Sequence, residues 1–140
     1  MKILLAVDGS AYTEKMLAYL AMHGALFDSA HDYTVFTVKP ALPPRVRAAI
    51  GKNEVTSYYA EETEKVIAPV MKLLVQQGID AKHEWKVGPA GETIAQFADA
   101  GGFDMIIMGS HGHTSLGNLV MGSVTTEVLA HCKVPVLLVR

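Results

Sequence analysis

Residues 104–125 read Asp104-Met-Ile-Ile-Met-Gly109-Ser110-His111-Gly112-His113-Thr-Ser-Leu-Gly117-Asn-Leu-Val-Met-Gly122-Ser123-Val124-Thr125, and this stretch decides the fold. Phe103 to Met108 is a short apolar run of the kind that forms a strand buried on both faces. Composition then changes abruptly to glycines interleaved with Ser110, His111, His113, Thr114, Ser115 and Asn118. After Gly122 the period becomes helical, with Val124, Val128 and Cys132 on one face and Ser123 placed to cap the start. The order is strand, glycine-rich loop, helix N-terminus.

That order suits a phosphate. Glycines let the backbone approach a bulky anion closely. The first N–H groups of a helix have no partner inside it, and the helix dipole places partial positive charge at the same end. Ser110, Ser123 and Thr125 can add hydroxyl donors. The spacing fits neither G-x-x-x-x-G-K-[ST] nor G-x-G-x-x-G. It is Gly109, two residues, Gly112, nine residues, Gly122 and then Ser123. This resembles the G-x2-G-x9-G-[ST] nucleotide-binding signature of the universal stress protein family. The strings Gly-Ser-His-Gly, Met-Gly-Ser-Val-Thr and the closing Val-Pro-Val-Leu-Leu-Val-Arg look like the same family.

Outward from the loop, the chain alternates strand and helix. Lys2 to Val7 is a first apolar strand, and Asp8-Gly9-Ser10 turns it into a helix from Ala11 to Phe27, with Ser10 as cap. Tyr33 to Lys39 is rich in β-branched and aromatic residues, a second strand. Pro40, Pro43 and Pro44 predict a long surface loop up to Asn53, carrying Arg45, Arg47 and Lys52. Helical period returns from Glu54 to Gln77, with Pro69 predicting a kink or a late start. Ala81 to Val87 reads as an edge strand. Gly88-Pro89-Ala90-Gly91 leads into a short helix with Ile94, Phe97 and Ala98 inward. Val134 to Val139 is the fifth strand.

Repeated crossovers of this kind imply an α/β fold: one doubly wound, five-stranded parallel sheet with helices on both faces. The order 3-2-1-4-5, like that of the adenine nucleotide alpha hydrolase-like folds, is what the resemblance implies. It puts strands one and four together at the switch point, where such sheets bind ligands at their carboxyl ends.

The bulk composition agrees with one domain spanning residues 1–140. Half the residues are hydrophobic and 19% are charged, which argues against disorder. A net charge of −2 gives no electrostatic reason to expect nucleic acid or an anionic membrane. No apolar run has the length of a membrane span. The apolar run at Met1–Val7 stops at Asp8, too soon for a signal peptide, and the lone Cys132 suits a reducing compartment. A cytoplasmic protein is expected.

The resemblance implies a site, position by position. Ala6, Val7 and Asp8 would line the ribose and adenine side, with Asp8 accepting hydrogen bonds or holding the metal of Mg-ATP. Val38 would meet adenine through its backbone, and Met108 and Gly109 would sit against the ribose. His111, Gly112, Gly122, Ser123, Val124 and Thr125 would surround the phosphates of ATP or a related adenine nucleotide. His113 also belongs to this group but departs from the family, which commonly has Lys or Arg there. A neutral imidazole brings no charge to a phosphate, so ATP binding is expected to strengthen from pH 7.5 to 6. The family also implies a homodimer formed through Val134 to Val139, an apolar edge that should be covered.

Each of these residues has a simpler reading. Asp8 can serve only the turn that caps the first helix. His111 and His113, two apart in a loop with no nearby Cys, are weak evidence for a metal pair. His23, His31, His83 and His131 read as surface residues, Cys132 as a small buried apolar group, and Met16, Met22, Met71, Met105, Met108 and Met121 as core filler. No G-x-S-x-G occurs, no base is assignable to any Ser, and no Lys lies in the loop, so no catalytic residue is named. The expectation is a nucleotide-responsive stress-response module. The alternatives are an interaction dimer that binds no nucleotide and a weak ATP-hydrolysing enzyme.

Overall fold

The computed structural model describes residues 1–113 and 120–140. Its elements follow the order β1 (Lys2–Ala6), α1 (Ala11–Met22), β2 (Asp32–Lys39), α2 (Pro44–Ile50), α3 (Lys52–Gln76), β3 (Lys82–Val87), α4 (Ala90–Gly101), β4 (Met105–Gly109), α5 (Ser123–His131) and β5 (Val136–Val139). The five strands are all parallel, in the order β3-β2-β1-β4-β5. Ile3 aligns with Tyr33 of β2 on one side and with Met105 of β4 on the other. The expected architecture and order are those observed.

The apolar runs are continuous because the central strands are covered on both faces. Ile3, Leu5 and Val7 point into one core with Met16 and Leu20 of α1 and Val66, Ile67, Val70 and Leu74 of α3. Leu4 and Ala6 point into the other with Ile94 and Ala98 of α4 and Val128 of α5. Phe36 of β2 stacks on Phe97 there, with centroids 4.1 Å apart and planes 5° from parallel. β3 is an edge strand, exposed along most of its length. Among the described residues, no helix is long and apolar enough to cross a membrane.

Several boundaries differ from the sequence expectation, each for a local reason. The stretch from Pro40 to Asn53 is not one long loop. Pro44 opens α2, where its missing N–H costs nothing because first-turn groups lack helical partners anyway. Gly51, at φ +84°, breaks α2 from α3. α3 starts early, at Lys52, and runs through Pro69. Pro69 is exposed, so water can serve the carbonyl its ring leaves unpaired. α1 ends at Met22, before Phe27; His23 Nδ1 caps the end by bonding the Tyr19 carbonyl, and Phe27 folds back into the core.

Two expected caps are also corrected. Ser10 is at the N-cap of α1, yet its hydroxyl makes no cap bond and is buried with no partner among the described residues. At α5 the N-cap is Gly122, and Ser123 is the first helical residue. Cys132, just past α5, is half-buried rather than fully buried. Its Sγ lies 3.4 Å from Asp99 Oδ1, and burial pushes the thiol's pKa up.

Candidate functional site at the carboxyl edge of the sheet

β1 and β4 are neighbours, and their carboxyl ends open onto the edge from which α1 and the glycine loop depart. A cavity of about 330 Å³ lies there, within the size range of small-molecule pockets. Its lining brings together three separated stretches: Ala6, Val7 and Asp8 at the end of β1; Val38 on β2; and Met108, Gly109, His111, Gly112, His113, Gly122, Ser123, Val124 and Thr125 from β4 to the first turn of α5. Thr114, Ser115, Gly117 and Asn118 of the loop fall outside the described residues.

Asp8 has two roles available at once. Its Oδ1 accepts from Ser10 N at 2.9 Å and from Thr13 Oγ1 at 3.0 Å, while Thr13 Oγ1 accepts from Asp8 N at 3.1 Å. This is the turn-stabilising role. The second oxygen, Oδ2, is directed to Gly112, where an added Cβ would stand 2.8 Å away. A carboxylate with one oxygen fixed and the other turned to the cavity fits the single-carboxylate support that Mg²⁺ takes when phosphates and water complete its shell.

The histidines differ in environment. His113 Nε2 donates to the Asp8 carbonyl at 2.7 Å; a carbonyl only accepts, so Nε2 carries the proton. His111 Nδ1 pairs with Ser110 Oγ at 2.9 Å, and its ring sits 4.9 Å from that of Tyr12. Ser110 is buried and absent from the described cavity lining, so this Ser–His contact orients the loop. Its backbone ties the loop down on both sides: Ser110 N donates to Val139 O and Gly122 N donates to Ser110 O.

Of the three hydroxyls expected to serve a phosphate, only that of Ser123 lines the cavity with no hydrogen-bond partner among the described residues. Ser110 is turned away, and Thr125 Oγ1 donates toward the carbonyls of Gly109 and Ser110 at 3.2 and 3.3 Å. Ser123, Val124 and Thr125 form the first turn of α5, whose N–H groups have no partner within the helix. The described lining holds no Lys or Arg. Arg45 and Arg47 lie on α2 and are not part of it.

Sequence reasoning missed Thr13, Pro40, Ala90 and Ile94, which also line the cavity. Topology was the available signal for two of them. In a parallel sheet each helix begins at the carboxyl edge, so the first turns of α1 and α4 bring Thr13 and Ala90 there.

The model of the Universal stress protein family matches residues 1–140. The chain belongs to the universal stress protein family. It is 34% identical over 140 residues to the universal stress protein Slr1230 of Synechocystis, a match covering 99% of this chain and 42% of that protein. It is 37% identical over 89 residues to the universal stress protein MJ0577 of Methanocaldococcus jannaschii, covering 64% of this chain and 55% of the relative. The chain thus spans about half the length of these first relatives. The solved structure of MJ0577 superposes with a TM-score of 0.81 at 30% identity, covering 99% of this chain and 94% of that one. A universal stress protein from Archaeoglobus fulgidus, solved in complex with dAMP, has the same fold. Its TM-score is 0.70 at 20% identity, covering 100% of this chain and 98% of that one.

Proposed function

We propose that this family member binds an adenine nucleotide, ATP with Mg²⁺ being the favoured ligand, in the cavity at the carboxyl edge. The reading rests on one observation: residues from the ends of β1, β2 and β4 and from the start of α5 line a single cavity. Backbone N–H groups of the first turn of α5 serve the phosphates, and Asp8 Oδ2 supports the metal through them. Met108 and Gly109 take the ribose, and the Val38 backbone takes adenine. The dAMP-bound relative of the same fold supports the ligand class. The protein then acts as a nucleotide-responsive module in stress tolerance, in the cytoplasm, as a homodimer joined through β5.

Calorimetric titration of nucleotide-stripped protein with ATP, with and without Mg²⁺, tests the reading. Gly122→Val is the control, because a Cβ at 122 would already meet His111 Cα at 3.2 Å and crowd the phosphate loop. Saturable binding in the wild type and its loss in Gly122→Val is the expected result. No binding of any adenine nucleotide to the stripped wild type would move the function to the nucleotide-free interaction dimer. Sedimentation of the same sample reports whether that dimer exists.

A further inference from the structure

Three side chains of metal-ligating type converge outside the cavity. Glu92 is in the first turn of α4, and Glu127 and His131 lie one turn apart on α5. Their ligand atoms come within 4.8 Å of one another, all on exposed residues. His131 Nε2 is 3.2 Å from Glu127 Oε2.

The two helices fix this group by backbone contact. Gly91 is buried against α5, and a Cβ there would stand 2.2 Å from Glu127 Cβ and 3.1 Å from the Val124 carbonyl. The missing side chain lets α4 lie directly on Glu127, which fixes the backbone on which the exposed Glu92 stands next to it.

Few cations face this group. Among the described residues, no Lys or Arg pairs with Glu92 or Glu127, and the only recorded partner of Glu127 is His131. Two carboxylates and one imidazole thus share one spot on the surface, and a single divalent cation there would cancel both carboxylate charges while taking the imidazole nitrogen as a ligand. One imidazole nitrogen with two carboxylate oxygens suits zinc, cobalt or nickel, whereas magnesium and calcium prefer all-oxygen shells. Three protein ligands leave the remaining position to water. We propose that Glu92, Glu127 and His131 form a binding site for a zinc-class divalent cation between α4 and α5.

The site is independent of the nucleotide reading, and zinc titration of the nucleotide-free protein tests it alone. One ion per chain is expected, with micromolar affinity. Glu92→Gln and His131→Gln should each weaken it by about tenfold or more, and Glu92→His, which adds a second imidazole, should tighten it. These positions are exposed, and circular dichroism of each variant verifies that the fold is retained. Absence of zinc binding in the wild type overturns the proposal. Wild-type affinity in both Gln variants, with loss on His113→Gln instead, also overturns it by placing the ion in the glycine loop.

Discussion

Gly112 lies directly against the carboxylate of Asp8: a Cβ at 112 would stand 2.8 Å from Asp8 Oδ2. Because Oδ1 is held by Ser10 N and Thr13 Oγ1, Oδ2 is the oxygen left to meet a ligand. Any side chain at 112 displaces or covers it. Gly112→Ala is expected to weaken Mg-ATP binding by about tenfold, or ~1.4 kcal/mol, and to lower the thermal midpoint slightly, because moving Oδ2 also disturbs the Oδ1 bonds to Ser10 N and Thr13 Oγ1. Calorimetry and thermal denaturation on the same preparation separate the two effects. Unchanged affinity would remove Asp8 from the ligand's environment.

Gly109 is three residues away and has a different task. A Cβ there would be 2.5 Å from Tyr12 Cβ and 3.3 Å from the Tyr12 backbone carbonyl carbon, so the glycine lets α1 rest on the end of β4. Gly109→Ala must push the helix off the sheet, and overpacking of this kind costs about 1–3 kcal/mol. The denaturant midpoint should fall accordingly with the m-value unchanged. A midpoint equal to wild type would mean that α1 yields freely at Tyr12.

These two glycines mark how far the sequence could be read. The spacing of Gly109, Gly112 and Gly122 is visible in the chain, and so are the apolar runs of Lys2–Ala6 and Met105–Gly109, because strands buried on both faces need no polar alternation. The task of each glycine was hidden, since it depends on Tyr12, Asp8 and His111, which arrive from other elements or from the fold of the loop itself. Thr125 shows the same limit: its position before the cavity was legible, but the direction of its hydroxyl toward the Gly109 and Ser110 carbonyls was not. Pro43-Pro44 misled in the opposite way, because the same residue that ends a helix from inside starts one at its first position.

Tyr33 should make the fold sensitive to alkali. It is fully buried on β2, its hydroxyl donates to the Asp28 carbonyl at 2.9 Å, and burial, aided by the Asp28 charge, pushes its pKa up to about 12. In the unfolded chain a tyrosine ionises near ~10. Between these values the native state keeps a proton that the unfolded state has lost, so stability falls as pH rises through this window. The shift limits this loss to about 2–3 kcal/mol. Tyr33→Phe should begin less stable, having lost the hydrogen bond, yet show a flatter decline from pH 10 to 12. Parallel slopes for the two proteins in denaturant titrations would assign the alkaline loss elsewhere.

Position 113 decides how strongly the site can discriminate by phosphate charge. His113 donates through Nε2 to the Asp8 carbonyl, and the described lining contains no Lys or Arg. Backbone N–H groups at the start of α5 bind a first phosphate well, but their influence fades within about one turn, and added phosphates gain little from them. A fixed ammonium reaches further and acts on each added charge. His113→Lys is therefore expected to tighten ATP binding at pH 7.5 by about tenfold and AMP binding by much less, with the ATP gain shrinking as salt is raised. Titrations of both nucleotides at two ionic strengths measure this. An equal, salt-independent gain for ATP and AMP would place residue 113 beside the nucleoside, since an ammonium near the phosphates must favour the ligand that carries more of them.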